Sequence, residues 1–118
     1  MSDGSSITFM SGTAGRRPLP GAAVASASCG AVDTFARALA MDLAPIRVNT
    51  ITPGYIDTPL FDDLLGDQRE VTLTDVAASL PMKRIGHPDE VAHAIMFLMQ
   101  NGYVTGINLA VDGGCLLV

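Results

Sequence analysis

Residues 47–54 read Arg47-Val48-Asn49-Thr50-Ile51-Thr52-Pro53-Gly54, and this stretch decides the fold. A β-branched run of this length, closed by Pro-Gly, is the composition of a strand covered on both faces. Upstream of it, residues 22–44 read as one long helix. Val32, Phe35, Ala36, Leu39, Ala40 and Leu43 recur at helical spacing, Asp33, Arg37 and Asp42 fall off that face, and Pro45 stops the run. Further upstream, residues 6–11 form a short β-rich run. A loop from Gly12 to Gly21 joins it to the helix and carries Arg16, Arg17, Pro18 and Pro20. Downstream, residues 55–88 are irregular, with short helices expected over 59–65 and 74–80. Pro88-Asp89-Glu90 opens a third helix, because proline fits a first turn and acids favour a helix N-terminus. Val91, Ala92, Ile95, Met96, Leu98 and Met99 supply its apolar face up to Asn101-Gly102. Residues 107–111 form a last strand before Asp112-Gly113-Gly114.

Strands alternating with helices predict an α/β fold: a parallel sheet of about three strands with flanking helices. The 118 residues suit one domain, 1–118, and 48% hydrophobic residues with a mean hydropathy of +0.36 supply a core. A net charge of −5 and a single lysine, Lys83, make nucleic acid an unexpected partner. No apolar run reaches the roughly 18 residues of a membrane span. The opening residues MSDGSS carry no secretory pattern. Cys29 and Cys115 are too few and too far apart for a disulfide framework or a metal site. A reduced, cytoplasmic, soluble protein with no metal is the expectation.

Several motifs go further. Pro53-Gly54-Tyr55-Ile56-Asp57-Thr58 follows the Arg47-Val48-Asn49 strand. After it come Arg84-Ile85-Gly86-His87-Pro88-Asp89-Glu90-Val91-Ala92, Phe97-Leu98, Thr105-Gly106 and Val111-Asp112-Gly113-Gly114. In this order and spacing the chain resembles the C-terminal half of the short-chain dehydrogenase/reductase family, from Ser6 to Gly114. The resemblance implies a partial doubly wound, Rossmann-like sheet and an oxidoreductase using NAD or NADP, with these strands as the family's fifth to seventh. It implies cofactor contacts at Pro53, Gly54, Ile56 and Thr58 near the nicotinamide, and a substrate lid over about 59–83. The Gly-rich phosphate loop belongs to the family's other half, and the chain contains no G-x-G-x-x-G. Gly12-Thr13-Ala14-Gly15 opens no helix at once and does not read as a phosphate cradle.

The family's chemistry uses a Tyr, a Lys four residues later on the same helix face, and a Ser about 13 residues before the Tyr. Registered through Ala27-Ser28, the Lys position is Cys29, the Tyr position is Ala25 and the Ser position is Gly12. Ser11 stands one residue away as a substitute for the Ser. No tyrosine precedes Tyr55, so no register supplies the phenol. A methyl group cannot move a proton, and a thiol carries no fixed positive charge. Catalytic residues are therefore none by the family pattern, and cofactor binding by this chain alone is expected to be weak or absent.

Other features have ordinary readings. Cys29 is a small helix residue, or a reactive thiol near a helix N-terminus. His87 and His93 have no metal spacing. Asp57, Asp62, Asp63 and Asp67 form a solvated acidic surface or a cation site, Arg16 and Arg17 a solvated loop pair or a site for an anionic substrate group, and Tyr55 packs in the lid or takes part in the chemistry. The expected partner is a second copy of the chain, through helix 22–44 or through 91–111; a complementing N-terminal half is another. Two functions stay open. One is an oxidoreductase-family chain that is inactive or atypical by itself. The other is a non-enzymatic oligomerisation or binding module on the same fold.

Overall fold

Strand β2 (Arg47–Pro53) lies between two parallel neighbours, and its first six residues are buried. The computed structural model describes residues 4–118, so the reading of the first three residues lies outside it. On one side β1 (Ser6–Met10) pairs with β2, Ile7 opposite Val48 and Phe9 opposite Thr50. On the other side β3 (Asn108–Val111) pairs with it, Asn108 opposite Thr50 and Val111 opposite Pro53. The order β1-β2-β3, all parallel, is the expected α/β sheet. Four helices complete the fold: α1 (Ala23–Asp42), α2 (Leu60–Leu65), α3 (Arg69–Ser79) and α4 (Pro88–Gln100). No helix of the described residues is long and apolar enough to cross a membrane.

Successive residues of a strand point to opposite faces, and β2 shows this directly. Val48 packs with Ala36 and Ala40 of α1, and Ile7 and Phe9 join that cluster. Ile51 packs with Ile56, Val91 and Leu98 on the α4 face. Both faces of β2 are therefore covered, which is why its sequence shows no polar alternation.

The polar residues of β2 fasten its neighbours. Arg47 is 7% exposed, and its guanidinium donates to the carbonyls of Leu98 at 2.5 Å and Met99 at 2.8 Å. These carbonyls belong to the last turn of α4, where a helix leaves acceptors without partners and carries partial negative charge. Asn49 donates to Val104 O at 2.9 Å and accepts from Ile107 N–H at 3.2 Å. Val48 N–H donates to Thr105 Oγ1 at 3.0 Å, and Gly106 N–H donates to Val48 O at 2.8 Å. The Thr105-Gly106 turn is thus tied to β2 at both of its residues.

At the other end of α4, Glu90 accepts from the His87 N–H at 2.8 Å and pairs with Arg84 at 2.5 and 2.9 Å. The Arg84 guanidinium, then the His87 amide, hold the Glu90 carboxyl down at about 2, from an ordinary 4.5. A depressed carboxylate stabilises the fold fully above its unfolded pKa and loses that contribution as pH falls through its folded one. Unfolding followed by circular dichroism should show a loss of stability between pH 4.5 and 2. Glu90→Gln should start less stable and show a shallower loss across that window. An unchanged slope would remove Glu90 from the acid response.

Four expectations are corrected. Asp33 does not fall off the helix face: its side chain is only 15% exposed, and Oδ2 lies 4.0 Å from Arg16 Nε. Arg16 also donates to Asn108 O at 3.4 Å, so it joins α1 to β3 and is not simply half of a solvated pair. The buried stripe of α4 is Val91, Ala94, Ile95 and Leu98, whereas Met96 and Met99 are about half exposed. Helix α3 starts at Arg69, five residues before the expected 74.

Candidate functional site

In a parallel sheet with helices on both faces, ligands bind beyond the carboxyl ends of the strands. Here those ends bring together Ser11-Gly12 after β1, Pro53-Gly54 after β2 and Asp112 after β3. The Ser11 N–H donates to Ile51 O at 2.8 Å and the Gly54 N–H to Val111 O at 3.0 Å, so each loop leaves the sheet under restraint. Gly54 is required by proximity. A Cβ there would lie 2.8 Å from Asp112 Cα and 3.0 Å from its carbonyl oxygen.

The loop after Gly54 is held by a short parallel bridge between Ile56 and Gly86. Asp57 N–H donates to Gly86 O at 2.9 Å, and Gly86 N–H to Tyr55 O at 2.9 Å. The Ile56 side chain is buried in the α4-side core. Ile56 and Thr58 line a cavity of about 670 Å³. Met10, Leu19, Leu60, Phe61, Leu64 and Ile95 make most of the apolar wall, together with Ser11, Gly12, Pro53 and Gly54. All four expected cofactor-contact residues, Pro53, Gly54, Ile56 and Thr58, therefore line one space. The wall residues were not anticipated from the sequence. They come from four separate segments, and only the tertiary fold joins them.

Helix α2 overhangs this cavity. Phe61 stacks on Tyr55, ring centroids 5.9 Å apart, which is the lid packing expected of Tyr55. Arg69, at the start of α3, ties the overhang down. It pairs with Asp57 of the loop, with Asp62 of α2 at 2.7 Å and with Glu70 at 2.8 Å. Two of the four expected surface acids, Asp57 and Asp62, thus converge on one guanidinium. A single arginine among the lid acids was the sequence signal for this.

The family-derived catalytic positions lie beside the cavity. Gly12 faces Cys29: a Cβ at position 12 would lie 3.2 Å from the Cys29 sulfur. Gly15 is closer still, with a Cβ there 2.8 Å from the Gly30 nitrogen and from Cys29 Cβ. The Gly12–Gly15 segment forms a 3-10 turn packed on α1, and glycine serves that approach. Ser11 lines the cavity, but its hydroxyl donates to the Cys29 carbonyl at 3.2 Å. Ala25 is exposed in the first turn of α1. Tyr55 is the phenol at this site, and burial first, then the nearby Cys115 thiol, pushes its pKa above the usual value. Burial and then Asp112 raise Cys115 likewise. Among the described residues no cluster of three or more His, Cys, Asp or Glu could hold a metal ion.

A family model described as enoyl-(acyl carrier protein) reductase matches residues 1–115. The chain belongs to the short-chain dehydrogenase/reductase family. Among curated relatives, the short-chain dehydrogenase/reductase malC of Malbranchea aurantiaca is 37% identical over 112 residues, which is 95% of this chain and 42% of that protein. Among solved structures, a small-chain dehydrogenase in complex with NADPH superimposes with a TM-score of 0.96 at 36% identity, over 100% of this chain and 54% of that one. The MalC reductase/Diels-Alderase of the same Malbranchea species gives a TM-score of 0.93 at 35% identity, over 100% of this chain and 46% of that one. The chain spans about half the length of these short-chain dehydrogenase/reductase relatives. The positions expected from the sequence register for the family's relay hold Gly12, Ala25 and Cys29.

Proposed function

We propose that this chain supplies the nicotinamide end and the substrate lid of an NAD(P)-linked oxidoreductase site whose chemistry does not run through the Tyr–Lys relay. The observation that carries this reading is the pairing of an intact Pro53–Thr58 loop and cavity with Gly12, Ala25 and Cys29 at the relay positions. NADPH bound to a similar chain supports the choice of cofactor. The residues here fit its nicotinamide end. Gly54 brings the backbone up to Asp112, and Ile56 and Thr58 line the cavity. The bound nicotinamide would supply a hydride.

Proton delivery is where this chain departs from its family. A relay tyrosine needs a neighbouring cation to lower its pKa. Tyr55 has the opposite environment, being pushed up by burial and by a thiol. It remains a hydrogen-bond donor at neutral pH and is a poor base. A proton required by the product then comes from water or from the substrate itself.

Calorimetric titration of the chain with NADPH tests the binding. Micromolar affinity would support a self-sufficient nucleotide site. Millimolar or absent binding would assign the phosphate contacts to residues outside this chain. A second test concerns the relay: Ala25→Tyr with Cys29→Lys should leave the 118-residue chain without NADPH-dependent carbonyl reduction. Turnover by that double variant would show that residues 1–118 hold the whole cofactor site.

A second reading has its own observation. Val24 is 84% exposed and Met41 81% exposed on α1, while Met96, Phe97, Met99 and Tyr103 lie exposed on and after α4. Apolar surface on both helices favours self-association, and we propose a homo-oligomer through one of these faces. Sedimentation showing a folded monomer at micromolar concentration would end that reading.

A further inference from the structure

The mouth of the cavity carries a charge pattern that selects among ligands. None of the residues lining the cavity is charged. Its polar groups are hydroxyls: Ser11, Thr13, Tyr55 and Thr58. An ionised ligand moved into such a space would lose its hydration without gaining a counter-charge. Four of the seven basic residues are committed elsewhere, while Arg17 is exposed in the loop between the lining residues Thr13 and Leu19 and Arg37 is exposed on α1. Arg47 is buried on backbone carbonyls, Lys83 donates to Ala78 O, Arg84 pairs with Glu90, and Arg16 lies against Asp33. Arg69 stands at the start of α3 beside the overhang, and three carboxylates neutralise it. The segment 57–70 that overhangs the mouth holds Asp57, Asp62, Asp63, Asp67 and Glu70 against that single arginine. An anionic ligand would thus approach an acidic rim and enter an apolar space.

We infer that the acceptor held by this cavity is an uncharged, largely apolar, untethered small molecule, and not a carboxylate, a phosphate ester or a coenzyme A or carrier-protein thioester. This rests on reading the cavity as the substrate end of the site proposed above. A volume of about 670 Å³ lies within the usual range for small-molecule pockets. One or two hydroxyl contacts would orient a carbonyl or ether oxygen, and Leu60, Phe61, Leu64 and Ile95 would enclose the hydrocarbon.

The test is a displacement assay on the whole chain with the uncharged dye Nile red. Decanone and decanoate share a chain length and differ in charge; acetoacetyl-coenzyme A adds the tethered, anionic case. Decanone should displace the dye at a concentration about tenfold or more below that needed for either anion. Leu64→Arg should narrow the gap between decanone and decanoate by about tenfold. Leu64 is 66% exposed, so the fold tolerates the change. Equal or better displacement by decanoate or the thioester overturns the inference, as does failure of the dye to bind. A Leu64→Arg variant with unchanged dye affinity and selectivity places the dye elsewhere and also overturns it. No nicotinamide nucleotide enters the assay. NADPH titration, carried out separately, therefore bears on the cofactor reading alone, and micromolar NADPH binding without selectivity for decanone would sink this inference alone.

Discussion

Replacing Arg47 with methionine will lower the stability of the chain by about 3 kcal/mol, the cost of leaving buried carbonyl acceptors without donors. The guanidinium meets Leu98 O at 2.5 Å and Met99 O at 2.8 Å, with Val104 O at 3.4 Å. Methionine matches the length of the side chain but offers no donor. The last turn of α4 then keeps its unpaired acceptors in a place where water has little access. Lysine restores the charge as a single ammonium and loses the planar fork, so Arg47→Lys should recover only part of the deficit. Urea unfolding of the three proteins measures this directly. A methionine variant within about 0.5 kcal/mol of the parent would mean that water already serves these carbonyls.

Gly54→Ala should be the most damaging change in the cofactor loop, at about 2–3 kcal/mol of stability. The added methyl group meets Asp112 at Cα, Cβ and O between 2.8 and 3.0 Å. Two of those three atoms are backbone, on a turn fixed by Asp112 side-chain bonds to the Gly114 and Leu116 amides at 3.0 and 2.9 Å. Neither side can yield by a rotamer change. Separation of the two loops would also strain the Gly54–Val111 hydrogen bond and displace Ile56 and Thr58. Two controls sharpen the result. Gly86→Ala meets the Ile56 Cδ1 at 2.7 Å, a flexible side-chain end, and should cost less. Gly102→Ala meets nothing within 4 Å and should be near neutral. Equal effects at Gly54 and Gly102 would show that the Asp112 contact is not rigid.

The legible parts of the fold were those written in local pattern. The β-branched run at 47–52 and the Pro-Gly after it marked the central strand within one residue. Pro88 with its two acids marked the start of α4. The misreadings had non-local causes. Asp33 looked solvated on a helical wheel because its neighbour Arg16 arrives from another segment, the 3-10 turn before α1. On α4, periodicity could not separate Ala94 from Met96, because only the position of β2 and β3 decides which side is covered. In α3 the first turn carries charge, and Leu73 alone is buried, so the apolar period was too weak to show where the helix begins.

For the site, register alone placed Gly12, Ala25 and Cys29, and residue type alone placed the contacts at 53–58. The cavity wall, the Arg69 cluster and the Gly54–Asp112 contact were not legible. Each joins residues far apart in sequence, with no spacing rule to connect them.

The closeness of Gly12 to the Cys29 sulfur couples these two positions. A Cβ added at position 12 would lie 3.2 Å from that sulfur, so the thiol would have to give by a few tenths of an ångström. Positions 12 and 29 are therefore not independent sites. A library built on this chain would have to vary the two together, because a screen of position 12 alone samples it only against the thiol.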